Sequence, residues 1–416
     1  MKSRIRLGLT AVTAAALLAS LAGAAGASSY DHQGSDRRYG SHEHGDRSDD
    51  QHSSDLGQGG NDQSGNRNRF GDHGRSNNAV FVENDNLAGN QIVAYDRADD
   101  GTLSIANTYA TGGLGGQLIG SVVDHTASQG SLVSDGDSLY AVNAGSNTLS
   151  VFSVHGDQLS LRQVVDSGGV FPVSVAVRGH FVYVLNALNG GTVQGYFSGF
   201  GHLFPIPGTN RPLGLNAAAT PQYLNAPSQV AFSPDGGQLI VTTKANGNDI
   251  DVFRIGEFGE LSATPVVNSD PGAIPFAISF DRAGHLVIAE AGTNSLTSFA
   301  LGSDGTVTQI ARVFTGKSLT CWVVPIGDKF YVSTAGSASV SVIRSSFNGG
   351  LTLLGAQATD AGTIDMAATP DGRFLYVQTG ANGIVDEFRV AWDGSLTAVG
   401  SVTVPNGIAG EGIVAL

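Results

Sequence analysis

The chain has 416 residues, with 22 Lys and Arg against 36 Asp and Glu, giving a formal charge of −14. That balance argues against nucleic acid and anionic lipid as partners. One cysteine, Cys321, excludes an internal disulfide, so stability must come from packing.

The chain opens with Lys2, Arg4 and Arg6, followed by an apolar, Ala-rich run from Leu7 to Leu21 and small residues up to Ala27. A basic start, a short apolar stretch and a small-residue cleavage site are the pattern of a secretory signal, expected over residues 1–27. The run is too short and too Ala-rich for a membrane span, so the expectation is a secreted protein with no membrane insertion. Residues 28–78 are His, Asp, Arg, Gly, Ser and Asn with almost nothing apolar. Such a stretch cannot offset its ordering entropy by burial, and a disordered polar arm is expected. His42 and His44 flank Glu43 there, but no fixed ligand spacing surrounds them. No metal or other cofactor is therefore assigned.

From Ala79 onward one phrase recurs: an apolar strand, a small-residue turn, and a second alternating strand. Its first apolar residue falls at Val80, Leu139, Val182, Leu239, Leu286, Phe330 and Leu375, 43 to 59 residues apart. A period in this range with four short strands per unit predicts a seven-bladed β-propeller over residues 79–416. Turns such as Ser233-Pro-Asp-Gly236 and Thr369-Pro-Asp-Gly372 separate the first two strands of a blade, since Pro fixes φ and Gly supplies a positive one. Phrases such as Gly259-Glu-Leu-Ser262 and Gly394-Ser-Leu-Thr397 mark the start of the fourth. Blade one lacks an inner strand, whereas Gly412 to Leu416 is a strand without a blade. The C-terminal strand is expected to close the ring inside blade one, leaving no open sheet edge. Two blades carry extra length, over Thr111–Gln129 and Ser198–Ala226, where binding elements or neutral decoration are equally expected.

Inner strands start, and second strands end, at one channel mouth. Aligning the inner strands on Pro172, Pro227 and Pro275 places Gln129, Ser228, Phe276, Cys321, Asp365 and Glu411 in one ring, and Gln229 and Trp322 in the next. Glu290 ends the second strand of blade five. These are the candidate ligand-binding residues, with Glu290 the candidate general acid or base. Glu290, Asp365 and Glu411 read either as an acid/base or cation set or as solvated acids beside a water-filled channel. Trp322 and Phe276 read as a stacking platform or as packing between blades. Cys321 has no visible base to activate it.

The phrases Ser233-Pro-Asp-Gly-Gly-Gln-Leu239, Pro370-Asp-Gly-Arg-Phe-Leu-Tyr-Val377 and Asn143-Ala-Gly-Ser-Asn-Thr-Leu-Ser-Val-Phe152 resemble the lactonase family of seven-bladed propellers. That family includes 6-phosphogluconolactonase-like and carboxymuconate lactonizing enzyme-like proteins, and the chain is most similar to its exported bacterial members. The resemblance implies a lactone-hydrolysing site at the channel mouth, with Arg or His opening certain inner strands. Here those positions hold Pro227-Ser-Gln229 and Pro275-Phe-Ala277, and neither inner ring contains Arg or His. A phosphorylated lactone would then face acids without a cation. Two function classes stay open: an exported hydrolase of a neutral lactone, or a non-catalytic monomer binding a small-molecule, cell-envelope carbohydrate or protein partner.

Overall fold

A computed structural model describes residues 78–416. The expected signal segment, and the expected polar arm apart from Asn78, lie outside the described residues. The described chain forms seven antiparallel sheets arranged as blades, each with four strands in radial order. Blade three adds the two-residue strand Arg211–Pro212, which pairs with its third strand. Among the described residues no helix is long and apolar enough to cross a membrane.

Ring closure occurs as the strand pattern predicts. Ile413–Ala415 is the innermost strand of blade one and pairs with Ala79–Glu83 through Val80↔Ala415, Phe81↔Val414 and Val82↔Ile413. Backbone bonds from Glu83 to the Gly412 carbonyl and from Leu416 to the Ala79 carbonyl, both 2.9 Å, extend the ladder at each end.

Second strands are buried on both faces. Leu286–Glu290 and Phe374–Thr379 are buried at every position, because each blade is covered on both sides by its neighbours. Their aromatic residues also lock the blades together. Tyr183 in blade three donates to the Gly259 carbonyl of blade four at 2.6 Å, Tyr331 in blade six to Gly394 of blade seven at 2.9 Å, and Tyr376 in blade seven to Gly101 of blade one at 2.8 Å. The glycines that open the outer strands are thus acceptors for the preceding blade. At Gly101, with φ +98°, a Cβ would also collide with the Phe374 ring, so the residue cannot be exchanged at either level.

Inner strands do not start regularly. The register shifts within Pro172–Ser174, Pro275–Ile278, Thr320–Val323 and Thr363–Met366. An extra residue there bends each strand and turns side chains out of the alternating order. All four shifts occur at the channel mouth, where the candidate residues lie.

Candidate functional site

The mouth defined by the inner-strand starts is not open. The long segment after blade one folds back across it. Its Gly115 N–H bonds the Asn86 carbonyl at 3.0 Å, Ile119 N–H the Gln222 side chain at 2.9 Å, and His125 N–H the Ala409 carbonyl at 2.8 Å. Gln222 belongs to the other long insertion, so the two extra segments meet over the same face. The end of the segment then plunges into the channel. Gln129 accepts from the Val323 N–H at 2.9 Å and donates to the Val323 carbonyl at 3.0 Å, tying blade two to blade six across the axis. Trp322 Nε1 donates to the Ser128 carbonyl on the same path.

Beneath this cover the side chains of Glu83, Asp85, Asp124, Asp365 and Glu411 gather with Lys244 and Cys321, all buried. Hydrogen bonds order them. Asp124 accepts from the backbone N–H groups of Thr126, Ala127 and Ser128 at 2.9, 2.8 and 3.2 Å. Thr126 bridges Asp124 and Glu411 through its hydroxyl, and Ser128 donates to Glu411 at 2.6 Å. The Glu411 N–H in turn donates to Asp85 at 2.9 Å. Lys244 Nζ donates to the Ala127 carbonyl at 2.6 Å and lies 5.4 Å from the centre of the Phe276 ring. One oxygen each of Glu83, Asp85 and Glu411 is buried without a hydrogen-bond partner. Among the described residues no group of three or more His, Cys, Asp or Glu is placed to hold a metal ion.

Burial sets the electrostatics. Removal from water pushes Asp85 up to about 8, Asp365 to about 7 and Asp124 to about 6, with neighbouring acids adding to the rise for Asp85 and Asp365. The Ala127 N–H lowers Asp124, as do Lys244 and the hydroxyl and N–H of Thr126. Glu83 and Glu411 move well above the usual carboxylate range for the same first reason. Burial brings Lys244 down to about 8, against the pull of Asp124, Cys321 and Glu411. It drives the Cys321 thiol up to about 12, which leaves it unreactive as a nucleophile.

The candidate residues divide accordingly. Asp365, Glu411, Cys321, Trp322 and Phe276 come together at the covered mouth, with Trp322 and Phe276 edge-to-face at 4.8 Å between ring centroids. Gln129, Gln229 and Asp365 line a 560 Å³ cavity inside the channel. Ser228 serves the junction of blades four and five, with its hydroxyl 3.0 Å from both Thr242 Oγ1 and the Phe276 carbonyl. Two expectations need correction. Glu411 is not a solvated acid at a water-filled mouth, because Thr126 and Ser128 of the Thr111–Gln129 segment seal it in, and Asp365 shows only 4% of its surface, at the edge of the cavity. Glu290 is not part of their set. Its carboxylate runs along its own blade, where Arg312 grips it with two nitrogens, each at 3.0 Å, and Ser295 and Thr293 donate at 2.7 and 2.9 Å. Burial raises Glu290; neither Asp365 nor Glu411 contributes to the rise.

The inner rings do lack Arg and His, yet a cation reaches the mouth by another route. Lys244 lies two residues past the second strand of blade four, Gln238–Thr242, and is held at φ +50°. It is one of only four lysines in the chain. A lone lysine in the turn that follows a second strand at the mouth is a signal that an alignment limited to strand positions passes over. Asp124 lies within the Gly-rich extra segment, which has no strand period to align.

Comparison with known proteins agrees with this architecture. Residues 88–194 match the family described as "Lactonase, 7-bladed beta-propeller". A putative 6-phosphogluconolactonase from Bacteroides uniformis superposes with TM-score 0.64 at 19% identity, covering 80% of this chain and 98% of that one. A periplasmic gluconolactonase from Pseudomonas aeruginosa gives TM-score 0.64 at 17% identity, covering 79% and 96%. A putative 6-phosphogluconolactonase from Bacteroides fragilis gives 0.62 at 19%, covering 79% and 96%. No curated protein matches. The chain is a lactonase-like seven-bladed propeller, and at these identities the structural likenesses establish the fold.

Proposed function

We propose that this protein is an exported hydrolase of a small neutral lactone or related cyclic ester. The observation that carries the reading is the buried Lys244, set beside Asp124 and Glu411 at the channel mouth. A lysine and carboxylates displaced from their ordinary protonation behaviour, gathered under a mobile type of element such as a loop, are a common composition for a catalytic centre. The lactonase-like fold and the exported-protein pattern of residues 1–27 support the same reading.

In this reading the Ala127 carbonyl marks where an ester carbonyl sits once the peptide between Ala127 and Ser128 turns aside, with Asp124 staying in place. Lys244, protonated at neutral pH, donates to that oxygen and stabilises the negative charge that develops on it. Asp124, largely ionised at pH 7, takes a proton from the attacking water. The water oxygen bonds to the carbonyl carbon, the ring C–O bond breaks, and the proton passes from Asp124 to the departing alkoxide. A phosphorylated or polycarboxylate substrate would bring further negative charge beside ionised Asp124, with Lys244 alone to offset it, so the neutral ester is preferred.

The test is proton release from lactones of several ring sizes by purified protein. Lys244→Met and Asp124→Asn should each lower kcat/KM by about 10²-fold or more, the usual worth of an oxyanion donor or general base. Lactone turnover by wild type that is unchanged in both variants would overturn the assignment of roles. No turnover of any lactone would leave the binding-protein reading in its place.

A further inference from the structure

Strand direction puts the turns between first and second strands, and those between third and fourth strands, on the face opposite the covered mouth. Four of the latter turns carry an exposed aromatic residue: Phe200 in blade three at 99% exposure, Phe258 in blade four at 71%, Phe347 in blade six at 89% and Trp392 in blade seven at 93%. Of these, Trp392 walls a groove of 480 Å³ between blades six and seven. The volume falls within the roughly 300–1,000 Å³ usual for a small-ligand site.

The rest of the groove is polar and charged. Asp328 and Lys329 come from the first turn of blade six, Asp371 and Arg373 from that of blade seven, and Arg282 from that of blade five. Lys329 pairs with Asp328 at 2.8 Å, and Arg373 lies 3.9 Å from Asp371. Arg282 makes no ion pair and no side-chain hydrogen bond among the described residues, which leaves one cation in surplus. The Trp392 turn is braced: Gly394 N–H bonds the Ala391 carbonyl at 2.9 Å, Ala391 N–H the Ser395 carbonyl at 2.9 Å, and Tyr331 donates to the Gly394 carbonyl.

An indole standing in water on a rigid turn suits a ligand with one flat apolar face. A floor of paired carboxylates and cations suits a ligand whose rim carries hydroxyl groups. A purely apolar ligand would strand those charges, and a purely ionic one would leave the indole unused. We propose that this groove binds a saccharide bearing a carboxylate, with one sugar ring stacked on Trp392 and the carboxylate paired with Arg282. The site is independent of the hydrolase reading, since it lies on the other face and uses none of the same residues.

The chain contains two tryptophans, and Trp322 is buried, so quenching by iodide reports on Trp392. Trigalacturonate should protect the fluorescence from iodide in wild type, with an affinity that falls as salt rises. α-1,4-Galactotriose, its neutral counterpart, should bind more weakly. Trp392→Ala should weaken trigalacturonate binding in calorimetry by about 10-fold or more, as expected for an aromatic anchor, with an unchanged melting temperature. Arg282→Gln should remove the preference for the acidic sugar while Trp392 is still protected by both. The proposal is overturned by equal binding of the two saccharides to wild type, by unchanged affinity in Trp392→Ala, or by protection of Trp392 by phosphatidylcholine vesicles and by neither saccharide.

Discussion

Lowering the pH from 8 to 5 should stabilise this protein. Asp85, pushed up to about 8, and Asp365, pushed up to about 7, keep their protons in the folded state at pH 6. In the unfolded chain both have released them, since an ordinary aspartate titrates near 4. A raised carboxyl contributes most stability at low pH and loses it as pH rises through the folded value. Each proton held in excess makes stability fall by roughly 1.4 kcal/mol per pH unit. The two together therefore give a fall of roughly 3 kcal/mol per unit near pH 6, with Asp124, Glu83 and Glu411 acting in the same direction. His125, lowered by burial, opposes this with at most one proton. Lys244, brought down to about 8, is charged in both states below that value and adds no slope there. Above it the lysine opposes the trend, so the fall in stability is expected to become shallower beyond pH 8. The measurement is urea unfolding at pH 5, 6, 7 and 8, with the slope of free energy against denaturant checked for constancy. Asp365→Asn, which imitates the protonated acid, should flatten the profile and gain most at pH 8. A wild-type stability that climbs steadily from pH 5 to 8, or a profile that Asp365→Asn leaves unaltered, would refute the reasoning.

Deleting Gly410 to Leu416 removes the closing ladder and buried Ile413, and strips the bonds that Glu411 makes to Asp85, Thr126 and Ser128. The sum, roughly 5 kcal/mol or more, is comparable with the whole stability of a domain, and circular dichroism and light scattering should find unfolding and aggregation. Glu290→Gln should reduce stability by about 1–3 kcal/mol, less than a fully buried pair because Asp270 also holds Arg312 at 2.9 Å. The same variant should leave any lactone turnover within about twofold of wild type, since its partners are structural; a loss of 10²-fold would restore Glu290 to the chemistry.

The architecture was legible because each blade repeats its own instructions. Turn residues at Ser233-Pro-Asp-Gly236 and Thr369-Pro-Asp-Gly372 and the apolar second strands are local signals, and the orphan strand at the C-terminus revealed the closure. The mouth was only half legible. Asp365, Glu411, Cys321, Trp322 and Phe276 were found by alignment, but the register shifts within Thr320–Val323 and Thr363–Met366 decide which way they point. No pattern in single residues announces such a shift. Glu290 was misplaced because its partner, Arg312, lies on the outermost strand of the same blade, 22 residues away. A carboxylate at a strand end can point along its sheet as readily as into a channel. The cover over the mouth was unreadable for a different reason: Thr111–Gln129 has neither period, and its conformation is dictated by contacts with residues far away in the chain.

Those distances order the assembly of the molecule in time. Thr126 and Ser128 bond a carboxylate 285 and 283 residues further along the chain, and Asp85 bonds an amide 326 residues away. Six blades can pair their own strands from short-range contacts, but the polar centre has no Glu411 until the last few residues arrive. The segment over the mouth can fasten early to Asn86 and later to Gln222 and Lys244, but its bonds to Ala409 and Glu411 wait for the end of synthesis. Contacts of such long range make closure a late and slow event. Ring closure and the sealing of the mouth are accordingly one step, and a chain stalled just short of its end would expose both an unpaired strand and an unroofed cluster of acids.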